Sequence, residues 1–238
     1  MRQRDWAGML FELLIVALGV LLGIEASNWN AGRERSARQK EMLGQLASEL
    51  DDTVAEADQR VAFSRQGIAD MTVVKIAVDS GQLDPNTAKR FPEGICRAGG
   101  AWKPAWRLGT VDQLISSGEL DLIPDPKLRS GLIAYRDTVS VIRDDIGMLG
   151  SDITSRLPAL DPYVEYGLPP GLLAARSEAD IVALPLGQCE TDLAALHADP
   201  VARNAIKHIV SAEGYILGNQ LAVREEAVRL RNMLKNER

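Results

Sequence analysis

The sequence has few aromatic residues, cysteines and histidines. Aromatic side chains make up 5% of the 238 residues, and there are two cysteines and two histidines. Alanine and leucine are abundant instead. This composition favours helices packed by aliphatic side chains over a β-sandwich.

The sequence also lacks the motifs of catalytic and cofactor-binding sites. It contains no Walker A loop, dinucleotide fingerprint, H-E-x-x-H, nucleophile elbow or EF-hand loop. The Ser116-Ser117-Gly118 turn does not fit G-x-S-x-G and has no histidine near it in sequence, so we interpret it as turn chemistry. We therefore expect no catalytic residues, no cofactor and no enzymatic activity.

The cysteines and histidines do not form a metal-binding pattern. On a helix His197 and His208 would be about 16 Å apart, too far for one tetrahedral zinc ion. Neither Cys96 nor Cys189 belongs to a C-x-x-C motif. We expect no metal, and two alternatives stay open for the cysteines. They form a disulfide if the domain faces an oxidising compartment, or they are two buried thiols.

No long block of one charge is present, and the net charge is −6 with an isoelectric point near 5.1. A nucleic-acid-binding domain would be expected to carry a basic patch. We therefore expect no nucleic-acid partner.

One long hydrophobic run lies at the N-terminus. From Ala7 to Ile24 the only charged residue is Glu12, and roughly 20 apolar residues are enough to cross a bilayer. Trp6 and Trp29 bracket the run, as aromatic anchors do at membrane interfaces. The run is longer than the apolar region of a signal peptide and has no convincing cleavage site. We predict an uncleaved transmembrane anchor at residues 1–30 and an extramembrane domain at residues 31–238.

Small and polar residues of this run share one helix face. On a helical projection they fall within a stripe about 60° wide. Gly19 and Gly23 form a G-x-x-x-G step, which lets another helix approach closely in lipid. We predict a packing face for a transmembrane helix of another protein or of a second copy. Its residues are Gly8, Glu12, Gly19, Gly23 and Ala26. The alternative is a chance G-x-x-x-G step, with Glu12 reaching the headgroups.

Two signals disagree about the side of the membrane on which the domain lies. Arg2 and Arg4 precede the span, whereas three arginines and one lysine follow it closely, which favours a cytoplasmic domain. However, long domains translocate largely regardless of such charges. The signal-anchor layout and the cysteine pair also favour export. We expect a single-pass protein of the bacterial inner membrane with a periplasmic domain.

Beyond the span, the spacing of apolar residues predicts one helix from Arg33 to Ser80, ended by Ser80-Gly81. It would reach about 70 Å from the membrane. Leu83 to Gly109 is the least regular part and is predicted to be a loop or a short-helix region. We expect Trp102 and Trp106 there to lie in the core or cap the bundle, with a ligand pocket as the less favoured alternative.

Four further helices are predicted. Thr110 is expected to cap a short helix that ends before Gly118. Asp125-Pro126 and Asp199-Pro200 each place an N-cap before a first-turn proline, which predicts two long helices. A short helix is also expected over Cys189 to Ala198.

The connection from Pro158 to Gly187 is rich in proline and glycine, with one helical turn expected near Leu172 to Arg176. Long connections are often functional. With Tyr163 and Tyr166 it is a candidate partner-contacting surface. An ordinary crossover between helices is the alternative.

Two segments carry a resemblance to a known family. The span with Glu12, Gly19 and the closing GIEASNWN, and the segment TVDQLISSGELDLIPDPKLRSGLIAYR from Thr110 to Arg136, cover about a fifth of the chain. They resemble an uncharacterised bacterial family of small membrane-anchored proteins. That family has an E-x(6)-G-x-L-I span and a T-x-x-x-L-x-S-S-G-x-L segment. The resemblance implies an anchor and a helical domain, and it implies no activity.

Together these patterns predict an all-α fold, in which an N-terminal transmembrane helix continues into an elongated antiparallel bundle. Two functions are carried forward. One is an accessory or scaffolding subunit of a membrane complex. The other is a sensory or ligand-binding module, which would be expected to have a return span or an output domain. The first is favoured because the sequence shows neither.

Overall fold

A single long helix supports the rest of the molecule. The computed structural model describes residues 6–98, 106–177, 180 and 189–236, with side chains from residue 10 onward. Its first helix, α1, runs without a break over Trp6–Ser80, a length of about 110 Å at 1.5 Å per residue. The predicted helix from Arg33 to Ser80 is confirmed, and it is continuous with the apolar N-terminal run. Gly81, with φ of +68°, follows its last residue.

The remaining elements are shorter. The helices are α2 (Arg90–Arg97), α3 (Gly109–Ser116), α4 (Pro126–Arg156), α5 (Leu193–Ala198) and α6 (Pro200–Lys235). Strands β1 (Val164–Tyr166) and β2 (Cys189–Thr191) pair antiparallel, with Val164 opposite Thr191 and Tyr166 opposite Cys189. Short 3-10 turns lie at Glu119–Leu122, Leu157–Ala159 and Leu172–Ala174.

The two Asp-Pro pairs start the long helices as predicted. Asp125 accepts a 2.8 Å hydrogen bond from the backbone N–H of Lys127. Asp199 accepts one of 2.7 Å from Val201. Each proline takes the first helical position, where its missing N–H costs no helix hydrogen bond.

The start of α3 differs from the prediction. Thr110 lies inside the helix instead of capping it. Leu108, the residue before the helix, makes no side-chain cap. The cap comes from α1 instead, where the Glu49 carboxylate accepts a 2.7 Å hydrogen bond from the backbone N–H of Thr110. Gly118 has φ of +74°, the conformation expected of the residue that ends this helix.

The stretch predicted to be a loop or short-helix region contains the short helix α2, in which Phe91 and Ile95 are buried against the core. Another local prediction is wrong because long-range contacts decide the structure. Cys189–Thr191 is a strand instead of the start of a helix, because it pairs with β1. Helix α5 begins only at Leu193, and the carboxylate of Asp192 caps its N-terminus.

The long helices form an antiparallel bundle in which α6 packs against both α1 and α4. Four contacts fix the register of α6 on α1. They join Lys207 to Asp79 at 3.3 Å, Ser64 to Gln220 at 2.9 Å, Arg224 to Asp58, and Arg231 to Asp51 at 3.3 Å. Because the residue numbers in these pairs have a nearly constant sum, α6 descends toward the N-terminal half of α1. The predicted all-α, elongated antiparallel bundle is confirmed.

One apolar core extends along the bundle, from Met42 to Val78 on α1 and from Ala202 to Leu234 on α6. Trp106 is 1% exposed, as expected for a core side chain, while Trp102 lies outside the described residues. Residues 10–41 of α1 contribute no member to this core.

Candidate functional site

The apolar run of α1 is covered by no other part of the described chain. Its large side chains between Leu10 and Ile24 are 49% to 68% exposed. The run is long and apolar enough to cross a membrane by length and composition. Trp29 is 68% exposed, whereas the surroundings of Trp6 and Gly8 lie outside the described residues.

Gly19 and Gly23 are open to an approaching helix. A Cβ atom built on either glycine has no neighbour within 4 Å. Glu12 and Ala26 are exposed as well, and about 100° per residue places all four on one side of α1. This side of α1 can therefore receive a second helix at close range.

The same side of α1 stays exposed beyond the apolar run, where small residues alternate with polar ones such as Asn30, Glu41 and Gln59. At about 100° per residue, these positions lie within roughly 40° of Gly19. We call the small residues among them the small-residue face: Gly19, Gly23, Ala37, Gly44, Ala55 and Ala62, all exposed. The buried residues Leu46 and Ala57 lie roughly opposite this face. The bundle therefore covers one side of α1 and leaves the small-residue face open over about 65 Å.

Ion pairs join the segment from Thr110 to Arg136 to α1 at the end of the bundle that is nearest to the apolar run. Arg38 on α1 pairs with Glu119 at 3.2 Å, and this ion pair lowers the pKa of the Glu119 carboxyl. Arg35 pairs with Asp121. The Ser117 hydroxyl donates to Glu119 at 3.1 Å. The Ser-Ser-Gly-Glu sequence therefore joins the end of α3 to α1, in agreement with its interpretation as turn chemistry.

A buried charge cluster occupies the other end of the bundle, where α1, α2 and α6 meet. Asp70 on α1 has a fully buried side chain. Its carboxylate accepts hydrogen bonds from Arg90 at 2.7 Å and from Gln66 at 2.9 Å. The Arg97 Nε lies 3.6 Å from the second carboxylate oxygen, and its guanidinium stacks over the Phe63 ring at 5.1 Å. A buried carboxylate is tolerated only when it is paired in this way.

Glu213 on α6 also belongs to this cluster, and its pKa is strongly shifted. Burial raises its pKa to about 7, against the opposing effect of Arg97 and with a smaller contribution from Asp70. Its Oε2 atom is enclosed and has no hydrogen-bond partner among the described residues. A strongly perturbed carboxyl in such a cluster is a candidate functional group, although structural ion-pair networks also shift pKa values.

This cluster was not predicted from the sequence. Asp70 and Gly67 lie at inward-facing positions of α1, and a charged residue at such a position was the sequence signal that could have indicated the cluster. Its partners Arg90 and Arg97 lie in the stretch that was predicted to be a loop or a short-helix region. The cluster depends on a helix, α2, that only long-range contacts form.

The structure joins Cys96 on α2 to Cys189 on β2 in a disulfide, with their Cα atoms 5.6 Å apart. The bond links α2, which carries two arginines of the charge cluster, to the small sheet. Among the described residues no group of three or more His, Cys, Asp or Glu is arranged to hold a metal ion.

The connection after α4 is partly tied down. The Tyr163 hydroxyl donates to Asp199 at 2.7 Å, which stabilises the start of α6. In contrast, Tyr166, Leu168 and Leu173 are 45%, 70% and 96% exposed. The prediction of a partner-contacting surface here stays a prediction, and residues 181–188 of the connection lie outside the described chain.

Comparisons with family models, with curated proteins and with solved structures find no match for this chain. Inferences about its function therefore depend on its own residues.

Proposed function

We propose that this chain is a non-enzymatic, single-pass membrane protein that serves as an accessory or scaffolding subunit of an inner-membrane protein complex. The observation that carries the proposal is the small-residue face of α1. It is exposed along the apolar run and along the bundle, on the side that the other helices leave uncovered. A partner helix that packs at Gly19 and Gly23 would continue along the same side of α1.

Because α1 is continuous, a partner bound to the span would also control the position of the bundle. No turn separates the apolar run from the bundle, so the orientation of the span is transmitted to the domain. A partner that fixes the span would also fix the bundle at a defined rotation and height above the membrane. Such rigid positioning suits a scaffolding role.

The disulfide supports a periplasmic location. Disulfides persist in oxidising compartments and are rare in the bacterial cytoplasm. The bond between Cys96 and Cys189 therefore favours export of the domain over the arrangement that the flanking arginines suggest.

Purification of the full chain in a mild detergent tests the proposal. We expect a second membrane protein, or a second copy of this chain, to co-purify in fixed stoichiometry. The double substitution Gly19→Leu and Gly23→Leu should release it, because leucine side chains would keep the helices apart. Ala17 lies about 160° from Gly19 around the helix, so Ala17→Leu adds similar bulk on the other side and is the matched control.

The outcomes separate clearly. Loss of the partner in the double variant, with retention in Ala17→Leu, supports the proposal. A partner that stays bound to the double variant, or a wild-type chain that purifies alone as a monomer, contradicts it.

A sensory module is the second candidate, and one observation favours it. Glu213, with a pKa raised to about 7, lies in a buried charge cluster far from the apolar run. A sensor should show a ligand- or pH-dependent change in the bundle under conditions in which no partner is present. Hydrogen exchange of the bundle at two pH values separates this candidate from a passive scaffold.

A further inference from the structure

A free segment of α1 separates the apolar run from the bundle. Residues 25–36 are exposed, and the first ion pairs to the rest of the described chain are made by Arg35 and Arg38. One side of this segment has an open depression. Its lining residues are Asn28, Trp29, Gly32, Arg33 and Ser36.

The position of the depression matches the headgroup layer of a bilayer. Trp29 is about 8 Å beyond Ile24 along the helix axis. The headgroup region adds roughly 5 to 8 Å on each side of the hydrocarbon core. If the apolar run spans the core, Trp29 lies at the level of the lipid phosphates and glycerols.

Arg33 is folded back toward the membrane. Its guanidinium carbon lies 5.1 Å from the centroid of the Trp29 ring, so a residue one turn further out holds its charge near the level of that ring. Stacking on the ring uses the face of the guanidinium. The N–H donors lie in its plane and stay directed outward.

Among the arginines of this region, Arg33 is also the one whose charge is not paired with a carboxylate of the described residues. Arg35 pairs with Asp121 and Arg38 pairs with Glu119. Among the described residues no carboxylate lies within ion-pair distance of Arg33. The neighbouring Glu34 carboxylate instead accepts a 2.8 Å hydrogen bond from Asn30. An external anion is the natural complement of this cation.

We propose that Asn28, Trp29, Gly32, Arg33 and Ser36 form a binding site for the headgroup of an anionic phospholipid. The guanidinium of Arg33 holds the phosphate, since its planar donors match phosphate oxygens in pairs. The Asn28 amide is available to the headgroup oxygens, while the Ser36 hydroxyl donates to the backbone oxygen of Gly32 at 2.9 Å and lines the depression. Gly32, whose added Cβ would meet nothing within 4 Å, leaves room for the headgroup against the helix backbone.

This inference rests on the membrane anchoring proposed above, and its test requires no partner helix. Together with Trp29, a bound lipid would fix the depth of α1 in the membrane. The lower end of the bundle would then stand at a fixed distance above the headgroups.

Native mass spectrometry of the full chain tests the site. The protein is purified in a mild detergent, stripped of lipid and mixed with equal amounts of phosphatidylglycerol or phosphatidylcholine. We expect preferential retention of phosphatidylglycerol by the wild type. Arg33→Gln should reduce this retention about fivefold, the effect of removing one basic residue near a membrane surface.

Arg35→Gln is the matched control. Arg35 lies about 160° from Arg33 around the helix and faces Asp121, so its loss should leave the lipid preference unchanged. Circular dichroism of both variants checks that the helices are intact.

Three outcomes would overturn the site. Equal retention of the two lipids by the wild type removes the anionic preference. An unchanged preference in Arg33→Gln removes the role of this residue. Displacement of phosphatidylglycerol by millimolar inorganic phosphate alone would indicate a site for a free anion instead of a lipid.

Membrane fractionation distinguishes these failures from a failure of the anchor. If alkaline carbonate washes the wild-type protein from membranes, the anchor and the lipid site are both wrong. If the protein stays in the membrane and Arg33→Gln has no effect on lipid preference, only the lipid site is wrong.

Discussion

The carboxylate of Glu49 on α1 accepts a 2.7 Å hydrogen bond from the backbone N–H of Thr110, in the first turn of α3. The first N–H groups of a helix have no partner within the helix, and a negative charge there is favoured by the helix dipole. One side chain of the long helix thus caps another helix through Thr110, which lies 61 residues later in the sequence.

Replacement of Glu49 by alanine should lower the free energy of unfolding by about 1 to 2 kcal/mol, the usual cost of a lost helix cap. Urea unfolding of the full chain in detergent, followed by circular dichroism, measures this effect. Asp52→Ala is the control, because Asp52 is an exposed carboxylate on the same helix and its loss should change little. An equal effect of the two substitutions would contradict the capping role.

Gly94 allows α2 to approach α1 closely, and its replacement by alanine should be strongly destabilising. An added Cβ would lie 2.6 Å from Val74 Cγ2 and 2.7 Å from the backbone oxygen of Asp70, and a backbone atom cannot move aside cheaply. Overpacking of this kind costs typically 1 to 3 kcal/mol. Thermal unfolding of the variant checks the prediction.

Gly44 provides the matched control for Gly94. An added Cβ at Gly44 meets nothing within 4 Å, so alanine should stabilise α1 by up to about 1 kcal/mol through its higher helix propensity. A Gly94→Ala protein as stable as the wild type would show that α2 does not pack as described.

The sequence was sufficient to predict features that depend on local chemistry. The Asp-Pro starts at Asp125 and Asp199, the stop at Gly81 and the apolar stripes of α1, α4 and α6 all follow from residues within a few positions of one another. The all-α architecture follows from these helices, since each has one apolar side that must be covered.

The sequence was insufficient where distant residues determine the structure. The cap of α3 comes from Glu49, and no residue near Thr110 in the sequence predicts this cap. Likewise α2 and β2 are short, and their conformations depend on pairing with α1 and β1. The charge cluster at Asp70 was missed for the same reason, because its arginines are placed by α2.

The disulfide predicts a test of the compartment. If the domain is periplasmic, Cys96 and Cys189 should stay unmodified when the protein is unfolded in the presence of a thiol-alkylating reagent without reductant. Both should react once reductant is added to the unfolded protein. Modification of both cysteines before reduction would indicate free thiols and would favour a cytoplasmic domain.

Reduction of the same disulfide should also destabilise the bundle. The bond closes a loop across a sequence separation of 93 residues, and the loss of such a cross-link costs about 2 to 5 kcal/mol. The double substitution Cys96→Ser and Cys189→Ser should lower the midpoint of urea unfolding. Adding reductant to the variant should have no further effect, which distinguishes loss of this bond from a general effect of the reagent.

Glu213 should make the stability of the bundle depend on pH. Its pKa is about 7 in the folded protein, raised by burial from an ordinary value of 4.5. Between these values the folded state binds more protons than the unfolded state, so the free energy of unfolding falls as the pH rises through this window. The contribution is fully present below pH 4.5 and is lost above about pH 7.

Glu213→Gln removes this titration and keeps the shape of the side chain. The stability of the variant relative to the wild type should therefore increase from pH 4.5 to pH 7, by up to roughly 3 kcal/mol, and then level off. Glu225→Gln is the control, because Glu225 is exposed on the same helix and its loss should leave the pH dependence as in the wild type. Parallel curves for the wild type and Glu213→Gln across this range would show that Glu213 is not held in the protonated form by burial. The charge cluster would then be a set of fully ionised pairs, and the sensory candidate would lose the observation that favours it.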